Sequence, residues 1–89
     1  MNPLRFALVG AGFWAPYQLA AWQEQSGASC VAVCDRDRTR VERLALARSV
    51  PSVYTDAAEM IQRERLDFLD IVTDVSSHAA RTRHSNSNA

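Results

Sequence analysis

The chain has 89 residues, ten basic and ten acidic, and 47% of them are hydrophobic. That length allows one small domain, and the apolar share excludes wholesale disorder. The balanced charge lacks the concentrated basic face that a nucleic-acid partner requires, and all ten basic residues are arginine, so chemistry that needs a lysine amine is excluded as well.

Leu4 to Val9 is short and almost continuously apolar, as strands buried on both faces tend to be. The pattern from Phe13 to Gln25 predicts a helix. Pro16 falls in its first turn, where a missing N–H costs little, and Ala15, Leu19 and Trp22 share the face turned toward a sheet. Gly27 stands where a helix terminator is expected. A second strand is predicted over 28–34. Its cysteines, Cys30 and Cys34, lie roughly 13 Å apart along an extended chain, beyond disulfide reach, and read as buried, reduced packing residues.

Asp37 is the expected N-cap of a helix over about 38–49, with Val41, Leu44 and Ala45 inward and the Arg48 stem along the rim. Pro51 stops that helix, and Ser52-Val53-Tyr54 follows as a short strand. Asp56-Ala57-Ala58-Glu59 has the capping-box spacing and opens a brief helix through about Arg63. Phe68 to Val72 is the fourth strand. From Ala79 no large apolar residue remains, so residues 79–89 read as a polar, disordered tail on a domain of residues 1–78. The apolar runs are too short for a signal peptide or a membrane span, which excludes a membrane and makes the cytoplasm the expected location.

The order β-α-β-α-β-α-β calls for an α/β fold with a parallel four-stranded sheet and right-handed crossovers. The first strand runs into Gly10-Ala11-Gly12-Phe13-Trp14-Ala15, a G-x-G-x-x-A turn opening a helix, and the second strand closes on Asp35. This is the fingerprint of a dinucleotide site in a Rossmann fold, here a partial and incomplete one. Gly10 permits the tight turn, Gly12 lets the backbone approach a pyrophosphate, and Ala15 permits close helix–strand packing. The N–H groups from Phe13 through Trp14 to Ala15 are expected to be unpaired and to suit a phosphate. Asp35 is placed to accept from ribose hydroxyls. Arg36 either meets a 2′-phosphate or adenine, or is one solvated arginine among Arg38 and Arg40. Because Asp35 repels a 2′-phosphate, NAD is favoured, with NADP the alternative. Trp14 and Tyr17 either flank the cofactor or, as is more usual in a first helical turn, pack on the protein.

The chain resembles the glucose–fructose oxidoreductase / inositol dehydrogenase / MocA family of NAD(P)-dependent oxidoreductases. The resemblance rests on Val9-Gly10-Ala11-Gly12, Val31-Ala32-Val33-Cys34-Asp35-Arg36-Asp37, Val53-Tyr54-Thr55-Asp56, and Asp70-Ile71-Val72-Thr73 with His78 five residues on. It spans roughly residues 3–78. It implies that Thr73 and His78 match the ends of a T-P-x-x-x-H loop beside the nicotinamide, with Asp74 in place of the usual proline. It also implies a further helix and strand, a Glu-Lys-Pro motif and a substrate domain, none of which this sequence contains. The break in pattern after His78 reads as a frame change or early stop in a longer gene. The expected role is the NAD(P)-binding portion of an oxidoreductase acting on a sugar, inositol or related polyol, without turnover by the isolated chain. The alternatives are a non-catalytic dinucleotide-binding module and a non-functional truncated product, with self-association through an exposed strand-four edge.

Overall fold

The computed structural model describes residues 2–72. Four strands, β1 (Leu4–Val9), β2 (Ala28–Cys34), β3 (Ser52–Tyr54) and β4 (Phe68–Ile71), alternate with helices α1 (Ala15–Gln23), α2 (Arg38–Arg48) and α3 (Ala57–Arg63). The sheet order is β3-β2-β1-β4, and all three strand pairs are parallel. This is the expected Rossmann-like half-sheet, with both neighbours of β1 reached by crossover.

The two sheet faces carry separate cores. Phe6, Leu8 and Val33 pack under Leu19 of α1 and Val41 of α2. Ala7, Ala32 and Cys34 face the other way, under Met60 of α3. The register between β1 and β2 slips by one residue after Phe6, which pairs with Cys30 while Ala7 pairs with Ala32. Val31 is the extra residue, so Val31 and Ala32 both serve the α3 face while Cys30 and Val33 serve the other.

Several boundaries differ from the sequence reading, each for a local reason. Residues 12–14 form a turn, with the Ala15 N–H donating to Gly12 O at 3.2 Å, and α1 begins only at Ala15. It ends at Gln23 with Glu24 as its C-cap, and Gly27 is not left-handed. Gly27 instead accepts the Leu4 N–H at 2.9 Å and pins the start of β1. Asp37 caps α2 as expected by accepting from Arg40 N, and Ser49, at φ 59°, ends that helix before Pro51. At α3 only half of the capping box forms: Asp56 accepts from Ala58 N at 2.9 Å, while Glu59 pairs with Arg63 at 3.5 Å.

The tie between α1 and β4 was not anticipated. Phe6 and Phe68 stack with centroids 5.0 Å apart, and Trp22 tilts against both rings. The Trp22 indole donates to Asp70 Oδ2 at 2.6 Å, and the Gln18 amide donates to the same oxygen at 3.1 Å. Hydrogen bonds to a charged partner are worth about 1.5–3 kcal/mol. Trp22→Phe keeps a ring in the cluster but removes the indole donor, so chemical denaturation should show a loss of about that size. Gln18→Ala should cost less.

Candidate dinucleotide-binding site

The site lies at the carboxyl ends of the strands, where β1 turns into α1. Gly10 has φ 107°, a conformation that residues with side chains rarely adopt. A Cβ at this position would collide with the Val72 carbonyl oxygen. The Gly10 N–H donates to Cys34 O at 2.7 Å, and the Val72 N–H donates to Val9 O at 2.8 Å. Three strand ends therefore meet at a residue that has room for no side chain.

The next residue joins this elbow to the acid that closes β2. The Ala11 N–H donates to Asp35 Oδ2 at 2.6 Å. The Asp37 N–H donates to Asp35 Oδ1 at 2.8 Å, and the Asp35 N–H is held by Tyr54 O at 3.1 Å. Asp35 thus stands against the elbow.

Among the described residues nothing lies within 4 Å of where a side chain at Gly12 would begin, so it borders open space. Among the described residues the N–H groups of Gly12, Phe13 and Trp14 have no hydrogen-bond partner. The Ala15 N–H is used by the turn to Gly12 O, which corrects the expectation that it is free. Trp14 is the N-cap of α1 and gives no side-chain cap, so the positive end of the helix is left to an outside anion. A diphosphate fits this arrangement: open space over a missing Cβ, faced by unpaired donors.

Phe13, Trp14 and Tyr17 are 66%, 44% and 62% exposed. Their rings touch one another at centroid distances of 5.2–6.0 Å and form a surface cluster. Packing into the core, the usual fate of such aromatics, does not occur here. Arg36 is exposed beside Asp35. A groove of about 450 Å³ adjoins the elbow, lined by Gly12, Phe13, Pro16, Arg40, Arg43 and Leu44 among others. Arg40 and Arg43 were not singled out from sequence. Helical spacing from the Asp37 cap was the available signal, and the Arg40 guanidinium lies 3.7 Å from Asp37. A second cavity of about 460 Å³, near Leu4, Trp22, Ala28 and Phe68, lies at the opposite ends of the strands, away from the elbow. Thr73 and His78 lie outside the described residues.

Both cysteines are free. Burial pushes the Cys34 thiol up, and the neighbouring Asp35 and Asp56 carboxylates add to the shift. Burial also raises Cys30, against the lowering effect of backbone hydrogen bonds at Ala32 and Leu8.

A strand–elbow–helix–strand unit closing on an acid beside its own glycine turn defines a dinucleotide-binding Rossmann unit. A family model described as an oxidoreductase family with an NAD-binding Rossmann fold matches residues 4–88, and the chain belongs to this Gfo/Idh/MocA family. It is 43% identical over 72 residues to the D-apiose dehydrogenase of Paraburkholderia graminis, a match covering 81% of this chain and 19% of that protein. An oxidoreductase from Agrobacterium radiobacter, crystallised with NAD+, L-tartaric acid and magnesium, is 40% identical with a TM-score of 0.75, over 86% of this chain and 22% of that one. The myo-inositol 2-dehydrogenase of Lactobacillus plantarum is 28% identical with a TM-score of 0.71, over 82% of this chain and 22% of that one. The chain therefore spans about a fifth of the length of these relatives.

Three tests follow from the site's structure. Gly10→Ala should destabilise the protein by about 2–3 kcal/mol in denaturant titration, from the strained φ together with the Val72 collision. Gly12→Ala should leave stability nearly unchanged. The thiols should react slowly with a thiol reagent at neutral pH and quickly once the chain is denatured. Because both thiols are raised in the folded state, their contribution to stability is complete below the ordinary thiol range. It is lost as pH rises through their folded values, and denaturation midpoints on the two sides of that window read the loss.

Proposed function

We propose that this chain supplies the NAD-holding part of a dehydrogenase that acts on a sugar or related polyol, with D-apiose the substrate its similarity favours most. The 2.6 Å bond between the elbow N–H and the Asp35 carboxylate, beside the open space at Gly12, is the observation that supports this best. In this reading the diphosphate lies over the N–H groups of Gly12, Phe13 and Trp14. The adenosine ribose meets Asp35, and the adenine end extends toward Arg36 and the Arg40–Arg43 groove. Thr73 and His78 belong to the nicotinamide side, as the family resemblance implies. NAD, when bound, supplies the hydride acceptor.

The residues of this chain hold and orient the cofactor. It has no lysine, so it supplies no amine for proton transfer, and binding without turnover is the outcome we propose for the chain alone. NAD is preferred over NADP because a 2′-phosphate would lie near the Asp35 charge. Two unit charges about 5 Å apart repel by roughly 3 kcal/mol at an effective dielectric of about 20. Arg36 and Arg40 offset part of this from the solvent side.

Calorimetric titration tests the reading. NADH should bind and NADPH should bind at least about tenfold more weakly, a difference of about 1.4 kcal/mol. Gly12→Val should weaken NADH by a similar factor or more, with the fold intact by circular dichroism. No heat of binding for NADH, or equal affinity in the Gly12→Val protein, refutes the proposal. NAD reduction by the isolated chain with D-apiose or myo-inositol refutes the expected lack of turnover.

A further inference from the structure

We propose that Asp35 is a positioning residue for the glycine elbow, setting the pose of the phosphate-facing N–H groups independently of any ribose contact. The inference rests on the dinucleotide-site reading above and extends it. A ribose-gripping acid has no need to touch the elbow backbone. Here both of its oxygens already hold backbone donors: Oδ2 takes the Ala11 N–H at 2.6 Å and Oδ1 takes the Asp37 N–H at 2.8 Å. The Ala11 bond is shorter than the usual N–H···O range of about 2.7–3.2 Å.

The elbow is fastened to the end of β2 by two consecutive donors. Gly10 N–H goes to the Cys34 carbonyl at 2.7 Å, a backbone contact that most side-chain changes leave in place. Ala11 N–H goes to a side chain 24 residues away, so this fastening depends on the residue at position 35. Ala11 directly precedes Gly12, so the direction of the unpaired N–H groups at Gly12, Phe13 and Trp14 depends on this second fastening. A carboxylate accepts about four hydrogen bonds, two per oxygen. With one site used on each oxygen, one remains on each, which matches the two adjacent hydroxyls of a ribose. Asp35 therefore holds the elbow and keeps capacity for the diol.

The test separates the two roles by removing the diol from the ligand. ADP and 2′,3′-dideoxyadenosine diphosphate are titrated calorimetrically into the full chain, as wild type, Asp35→Asn and Asp35→Ala. If Asp35 positions the elbow, Asp35→Ala should weaken the dideoxy ligand at least about fivefold, because the diphosphate donors lose their alignment. Asp35→Asn keeps one acceptor oxygen and should fall between Ala and wild type. Equal affinity of wild type and Asp35→Ala for the dideoxy ligand overturns the proposal while leaving the dinucleotide site intact. Failure of wild type to bind ADP overturns both. Should the variants not fold, hydrogen exchange of the wild-type Ala11 amide decides the matter. Protection relative to the Phe13 amide supports the fastening, and exchange as fast as Phe13 refutes it.

Discussion

The structure depends on how closely three strand ends approach one another at Gly10. Its N–H is taken by Cys34 of β2, and the space where its side chain would stand is filled by the carbonyl of Val72, just past the end of β4. β1 lies between β2 and β4 in the sheet, so this residue is the point through which both neighbours constrain the turn into α1. A side chain there would push β4 outward or force the backbone to another φ. Either change would move the residues that follow, and those residues carry the donors. The requirement at Gly10 is therefore structural, whereas the requirement at Gly12 arises only when something approaches it from outside.

Helix α1 is fixed at both ends by different chemistry. At its start the elbow and the Gly12–Ala15 turn set where the first free N–H groups lie. Toward its end Trp22 and Gln18 are tied to Asp70 on β4, and Leu19 is fully buried between them. Because a helix is stiff over nine residues, the Asp70 tie also orients the helix's positive end at the elbow. Asp70 belongs to the Asp70-Ile71-Val72 run that contributes to the family resemblance. In this structure its carboxylate works in packing, on the side of the sheet that carries α1.

The sequence was most legible where a residue type has one local use. Gly10, Pro16, Asp37, Pro51 and Asp56 punctuate the chain through backbone freedom, a missing donor or a capping oxygen, and the elements fall where these residues put them. The placement of Asp35 against the elbow was legible for the same reason, since strand, turn and acid keep a fixed spacing. What was not legible depends on contacts distant in sequence. Gly27 has the composition of a helix terminator, yet its carbonyl serves β1. The Trp22–Asp70 bond joins residues 48 apart and leaves no periodic trace. Trp14 and Tyr17 look like packing residues by type, but no element among the described residues buries them, and they remain at the surface.

The register slip in β2 is the least legible feature, and the site depends on it. Side chains alternate faces along a strand, and partners in a parallel pair share a face. With the slip, Leu8 pairs with Val33, and both face α1 and α2. Cys34 then faces α3, and Asp35 returns to the α1 side, where the elbow is. Had the pairing of Phe6 with Cys30 continued unbroken, Leu8 would pair with Ala32 and every later residue of β2 would change face. Cys34 would point at α1, and the Asp35 carboxylate would project toward α3, out of reach of Ala11. One extra residue, Val31, therefore determines whether the acid of the fingerprint meets its glycine turn. The run Cys30-Val31-Ala32-Val33-Cys34 hides this because all five residues are apolar and either face accepts them.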